Sequence, residues 1–318
     1  MVNYTFQNDD HGTNSFFLFL CAMLKQVFAA FLFIVSISVQ AQDRPAAYAV
    51  AEEFNLWNKK LNDTARVFAD IAYIRDYPSL KGIILDSVTA GTNVIIKSEG
   101  YNNMLIKDFY APWHKVEYTV GKKKRSGFIW LGLLALGSNN DKDRKLWMYG
   151  LNKYPNRSND ETYLSQCEIK VLTSSGKPGT PFNIIGQTSF LITKNGQTFT
   201  EAKILDNMGL SGLLAIYRMG FFGEACGIPT NYHYVGWTGS GFVDLPGKSN
   251  VSDAGVFYHE EKLLFPSEHG LDQSLIIKDI VVGEVIDPDQ KKLTYKEKKT
   301  REKYLWNGKV VSQLIEMK

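Results

Sequence analysis

The sequence predicts a mainly β chain: a small barrel, then a larger antiparallel β domain, with an apolar N-terminal helix ahead of both. Three observations predict it. From Thr64 the pattern has period two, with Val67, Ala69 and Ile71 alternating with Phe68, Asp70 and Ala72, as when alternate strand residues face opposite sides. Turn signals then recur at short intervals, among them Tyr77-Pro-Ser-Leu-Lys-Gly82, Asn195-Gly196 and Asn307-Gly308. Between residues 16 and 39, by contrast, apolar residues run together with almost no turn signals.

A length of 318 residues accommodates about two domains. With 44% hydrophobic and 13% aromatic residues the chain can bury real cores, which excludes global disorder. The net charge of +3 is small and evenly spread, so no nucleic-acid partner is expected.

The first element is the apolar leader. Runs Phe16–Met23 and Val27–Val39 are split by Lys25. Met23-Leu-Lys-Gln followed by Val27–Val39, with Val39 and Ala41 at the −3 and −1 positions, is the layout of a secretory signal peptide, and it makes Met23 an alternative start. The same residues also read as one helix, Phe16–Val39, long enough to span a bilayer. Residues 1–42 are therefore a signal peptide or a membrane anchor. The protein is expected to be exported, periplasmic or at the cell surface if the leader is removed, and held at the inner membrane if it is not. Leu20 before Cys21 is too bulky for a lipoprotein signal.

Residues 43–63 read as a helical tether. Val50, Phe54, Trp57 and Leu61 form a helix-spaced stripe, with Glu52 and Glu53 early and Lys59 and Lys60 late, as a helix dipole prefers. Residues 64–138 follow as short strands. Ile83–Val88 and Thr92–Lys97 are two, and Trp113–Val120 pairs with Ser126–Leu131 across the basic tip Gly121-Lys-Lys-Lys-Arg125. Five short strands in this length suit a small barrel.

These residues resemble the bacterial Src-homology-3-type domain. The matching pieces are Ala72-Tyr-Ile-Arg75 with Pro78, Gly91-Thr-Asn-Val94, Trp113-His-Lys-Val116, and Gly127-Phe-Ile-Trp130 with Leu134-Ala135. Two departures are Tyr77 ahead of the proline and the long piece between Ile96 and Trp113. The resemblance implies a Src-homology-3-like barrel whose exposed aromatics form a ligand groove. Tyr77, Tyr110 and Trp113 lie nearest the turns and are the candidates, with Lys123 and Arg125 at the rim. The implied partner is peptidoglycan or an envelope protein, gripped through a peptide.

Residues 141–318 read as a β-rich C-terminal domain. The candidate strands are Lys145–Leu151, Tyr163–Leu172, Phe182–Leu191, Leu213–Phe222, His233–Trp237, Val256–Leu264 and Ser274–Val285, with a terminal hairpin over Lys303–Val311. Gly223–Pro229, Asp253–His259, Phe265-Pro266 and Tyr304–Gly308 are similar to a region of exported proteins from Bacteroidota-like bacteria. That resemblance implies export and no chemistry.

Few residues point to catalysis. Cys167 and Cys226 are an even pair outside the leader, and in an exported chain they are a candidate disulfide; two separate buried thiols are the alternative. Cys226 is also the candidate nucleophile of a cell-wall hydrolase, with His233, His259 or His269 as base. Asp253, His259, Glu260, Glu261, Glu268 and His269 are all metal-competent, and His259 and Glu261 would share one face of a strand. Their spacing matches no metal motif, so His259, Glu261 and His269 are weak ligand candidates. Asp141-Lys-Asp143 and Asp287-Pro-Asp289 lack the Gly and Glu of a calcium loop. No Gly-rich phosphate fingerprint occurs, and no cofactor is expected. The sequence thus predicts a non-catalytic, exported envelope-binding protein. The alternative is a hydrolase or metal-dependent enzyme using Cys226 or the 253–269 cluster.

Overall fold

Period-two patterning becomes antiparallel sheets throughout a computed structural model that describes residues 56–107, 109–152, 164–174, 176, 180–193 and 196–315. The leader and residues 43–55 of the expected tether lie outside the described residues. The rest of that tether, 56–63, is turns and not helix. Trp57 is buried, its indole N–H donating to the Leu134 carbonyl at 2.9 Å, while Leu61 is exposed. The two thus part company instead of sharing one helical stripe.

The first sheet has seven strands: β1 (Thr64–Arg66), β2 (Ile71–Arg75), β3 (Ile84–Thr89), β4 (Asn93–Ile96), β5 (Tyr101–Ile106), β6 (Phe109–Val120) and β7 (Lys123–Trp130). Their order is β1-β4-β6-β7-β2-β3, with β5 also on β6. The expected barrel does not close, and a physical cause is visible at β1. Its continuation is flanked on both sides: Val67 N–H donates to Thr92 O at 2.9 Å, while Phe68 N–H donates to Leu133 O and Ala135 N–H to Arg66 O, both at 2.8 Å. No backbone groups are left there to meet β3, so β3 stays an edge strand.

The second sheet comprises β8 (Gly137–Asn140), β9 (Leu146–Asn152), β10 (Leu164–Thr173) and β11 (Asn183–Thr193), in order β11-β10-β9-β8. The boundary expected at 138–141 falls on β8, which pairs directly with β9. One buried cluster runs across it, from Trp57 and Trp113 through Trp147 and Ile169 to Tyr217 and Trp237.

The third sheet is a meander of β12 (Phe199–Leu205), β13 (Ala215–Phe222), β14 (Thr230–Trp237), β15 (Phe242–Asp253), β16 (Phe257–Leu264), β17 (Leu275–Val285), β18 (Tyr295–Trp306) and β19 (Val311–Leu314), each beside the next. One short helix, α1 (Pro266–His269), interrupts it. Along β13 the alternation is two-sided. Tyr217, Met219 and Phe221 face the second sheet, and Ile216 joins a separate core with Leu213, Tyr234, Phe265 and Trp306. Trp147 sits at the junction of the sheets, 5.2 Å from the ring of Tyr217 and 6.2 Å from that of Trp237. Burying a large apolar side chain of this kind contributes about 1.5–3 kcal/mol.

Candidate functional site

Of the predicted groove residues, the structure brings Tyr77, Lys123 and Arg125 to one end of the first sheet. Arg75 pairs with Phe128, so the turn that follows β2 runs alongside the start of β7. Gly127 permits this approach: a Cβ there would lie 2.4 Å from Ile74 Cγ2 and 2.9 Å from Arg75 O. Arg125 then reaches across to Asp86 of β3 at 2.9 Å.

The turn at 76–83 is tied together by its polar atoms. Ile83 N–H donates to Asp76 Oδ1 at 2.7 Å, the Arg75 guanidinium donates to Gly82 O at 2.6 Å, and Asn102 donates to Pro78 O at 2.7 Å. With the polar groups turned inward, the apolar side chains face water. Tyr73, Tyr77, Leu80, Ile83, Ile84 and Leu85 are each between 47% and 70% exposed. Exposed apolar patches are a common feature of surfaces that meet a partner.

Around it stand basic groups. Lys124 is paired with Glu117 at 2.9 Å and Arg125 with Asp86. The Lys124 hydrogen bond holds the Glu117 carboxyl below its usual range. Lys81, Lys122 and Lys123 are exposed and have no ion-pair partner among the described residues.

Trp113 does not belong to this surface. It is 1% exposed, on the inner face of β6, and its indole nitrogen is buried without a hydrogen-bond partner among the described residues. Strand alternation put it inside, where closeness to a turn suggested outside. Tyr110 is exposed but sits on the β5–β6 hairpin, opposite Leu105.

A second feature is a cleft of about 400 Å³ beneath the β13–β14 loop, lined among others by Glu224, Cys226, Thr230, Ser252, His259 and Glu260. The loop is pinned by Gly227 N–H donating to Ser252 O at 2.9 Å. At Gly223 a Cβ would lie 2.3 Å from Ile228 O, so only glycine fits there. Cys226 is exposed, and it makes no hydrogen bond to a histidine among the described residues. The expected disulfide is absent: both cysteines are free, with Cys167 buried on β10 among core residues and Cys226 in the exposed loop. Burial pushes the Cys167 thiol up, which leaves it inert.

His259 Nε2 lies 2.9 Å from Glu261 Oε1. Glu261 has a structural task as well. Its Oε2 accepts the Ser249 N–H at 2.8 Å, its own N–H donates to Asn250 Oδ1 at 2.8 Å, and Lys278 stands 3.5 Å away. These bonds stitch β15 to β16 beyond the point where their ladder ends at Val251 and His259. His269 is elsewhere. Its Nδ1 accepts the Leu271 N–H at 3.0 Å and its Nε2 donates to Leu275 O at 2.8 Å. Glu268 caps α1 by accepting the Phe265 N–H at 2.9 Å. The 253–269 cluster therefore disperses, and no group of three metal-competent side chains gathers among the described residues.

Sequence reading missed one buried titratable pair. Glu168 and Lys170 lie on one face of β10, each under 5% exposed. The only hint was a charge at alternate positions beside the apolar Ile169 and Val171. His233, a candidate base for Cys226, is instead half-buried on β14, stacked 4.5 Å from the Phe190 ring, and desolvation lowers its pKa to about 4.

No protein-family model, no curated protein and no solved structure matches this chain.

Proposed function

We propose that the protein is a non-catalytic binding protein of the cell envelope, with the hairpin end of the first sheet as its contact surface. A single observation carries this reading: aliphatic and tyrosine side chains stand exposed on β2, β3 and their turn, beside Lys81, Lys122 and Lys123, which have no ion pair among the described residues. Export follows from the leader pattern, and peptidoglycan or an envelope protein is the expected class of partner. The test is retention of the purified protein on insoluble peptidoglycan and on immobilised envelope extract. Tyr77→Ala and Ile83→Ser should weaken retention, while Tyr110→Ala leaves it unchanged. Equal retention of all variants would move the contact surface elsewhere.

A second reading has one observation in its favour. His259 is oriented by Glu261 at the wall of the cleft that also holds Cys226, the second half of a nucleophile–base–orienter arrangement. Hydrolysis of peptidoglycan fragments that disappears in Cys226→Ser, with retention on the polymer unchanged, would establish it.

A further inference from the structure

We infer that the hairpin end of the first sheet docks onto an anionic lipid bilayer, an inference that rests on reading this end as the contact surface. Ile83, Ile84 and Leu85 are consecutive and all exposed. Ile83 lies in the turn, Ile84 opens β3 and Leu85 is the unpaired residue beside it, so the three sit at a bend of the chain and not along one flat strand face. Hydrocarbon surrounds a tip from every side. Leu80 extends the apolar tip, and Tyr73 and Tyr77 supply rings of the kind that settle at the headgroup level.

The charges fit the same surface. Of the neighbouring carboxylates, Asp86 and Glu117 are paired with Arg125 and Lys124, and Asp76, which accepts the Ile83 N–H, is one negative charge against three lysines. Lys81, Lys122 and Lys123 remain available, so the rim is net cationic toward anionic headgroups.

Other occupants fit less well. Strand addition along β3 meets a bulge, because Ile74 pairs with Asp86 and Arg75 with Ile84, leaving Leu85 unpaired. The Ser87 N–H is also taken, by Asp86 Oδ1 at 2.9 Å. Both features blunt an edge. Sugar rings stack on aromatic faces, and most of this tip is aliphatic.

The test uses the full chain with Ile83→Cys in a Cys21→Ser, Cys226→Ser background, where Cys167 stays buried. An environment-sensitive fluorophore on the new thiol reports only what surrounds the tip, whatever the leader does. Phosphatidylglycerol vesicles should shift the emission to the blue. Phosphatidylcholine vesicles should not, and Lys122→Glu with Lys123→Glu should abolish the shift. Equal shifts on both vesicles, or a shift that survives the charge reversal, would overturn the anionic selectivity. No shift on either vesicle would overturn lipid docking. If peptidoglycan or envelope extract then moved the emission, the contact-surface reading would survive alone; if nothing moved it, both would fall. Emission already blue without vesicles would overturn the proposal and assign the tip to another part of this chain or to a second copy, told apart by concentration dependence.

Discussion

The ammonium of Lys170 on β10 lies 2.6 Å from the carboxylate of Asp70, which ties the second sheet to the segment between β1 and β2. The same ammonium donates to Phe68 O at 3.1 Å and stands 4.0 Å from Glu168 Oε1, a buried oxygen with no hydrogen-bond partner among the described residues. Removing one member of a buried charge group strands the other.

Lys170→Met should therefore destabilise the fold by about 3 kcal/mol, because a buried charge loses its partner. Lys170→Met with Glu168→Leu should recover most of that loss. Urea midpoints of the two single variants and the double variant measure the coupling, and additive effects would contradict it.

His233 should make stability fall with acid. Its folded pKa is lowered to about 4 by burial, so between its ordinary value and 4 the unfolded chain binds more protons and acid favours unfolding. The loss approaches about 3 kcal/mol at the acid end. Glu168 works the other way, since burial raises its carboxyl and protonation then favours the folded state. The difference between wild type and His233→Phe isolates the imidazole. Melting temperatures from pH 7 to pH 4 should converge for the two proteins only at the neutral end if wild type is the more acid-sensitive.

Trp113→Ala should cost about 3–5 kcal/mol as a core truncation, and any loss of binding would follow from unfolding. Tyr77→Ala should change stability by only about 0.5 kcal/mol, as surface substitutions do. Thermal melts of the two variants, run beside the binding measurement, separate these effects.

Glu261→Ala should loosen the seam between β15 and β16. It deprives the Ser249 N–H of its acceptor, a loss of about 1–3 kcal/mol if water does not replace it. Amide exchange at Ser249 should speed up while the exchange of Trp147 stays slow. Exchange that remains slow at Ser249 would show that the carboxylate is not the acceptor in solution.

The strands of the fold were largely legible, because most carry a clean alternation or an apolar run between turn residues. Those around Trp147, Ile169 and Tyr217 lie close to their expected bounds. β15 was not legible because Pro246 and Gly247 interrupt it. The fold absorbs them as a bulge, pairing Tyr232 with Lys248 and Tyr234 with Leu245. The first half of β18 was hidden by charge on both faces, in a strand exposed along most of its length. That the first sheet stays open depends on Leu133 and Ala135 meeting Phe68 and Arg66, a long-range pairing with no local signature. At the candidate site, Tyr77 and the basic tip were visible as turn residues. The exposure of Ile83–Leu85 was not, since the same aliphatic run would serve equally well as a buried strand.

The meander from β12 to β19 has a kinetic consequence. Each of its strands pairs with its neighbour in the chain, so every pairing closes only a short loop and costs little chain entropy. The first sheet is different: β1 must find β4, and β2 must find β7. Local pairings form sooner than distant ones, so the C-terminal sheet should zip up hairpin by hairpin while the first sheet is still searching. The join of the β2–β3 hairpin to β7, which brings the two parts of the proposed contact surface together, would then be among the last pairings to form.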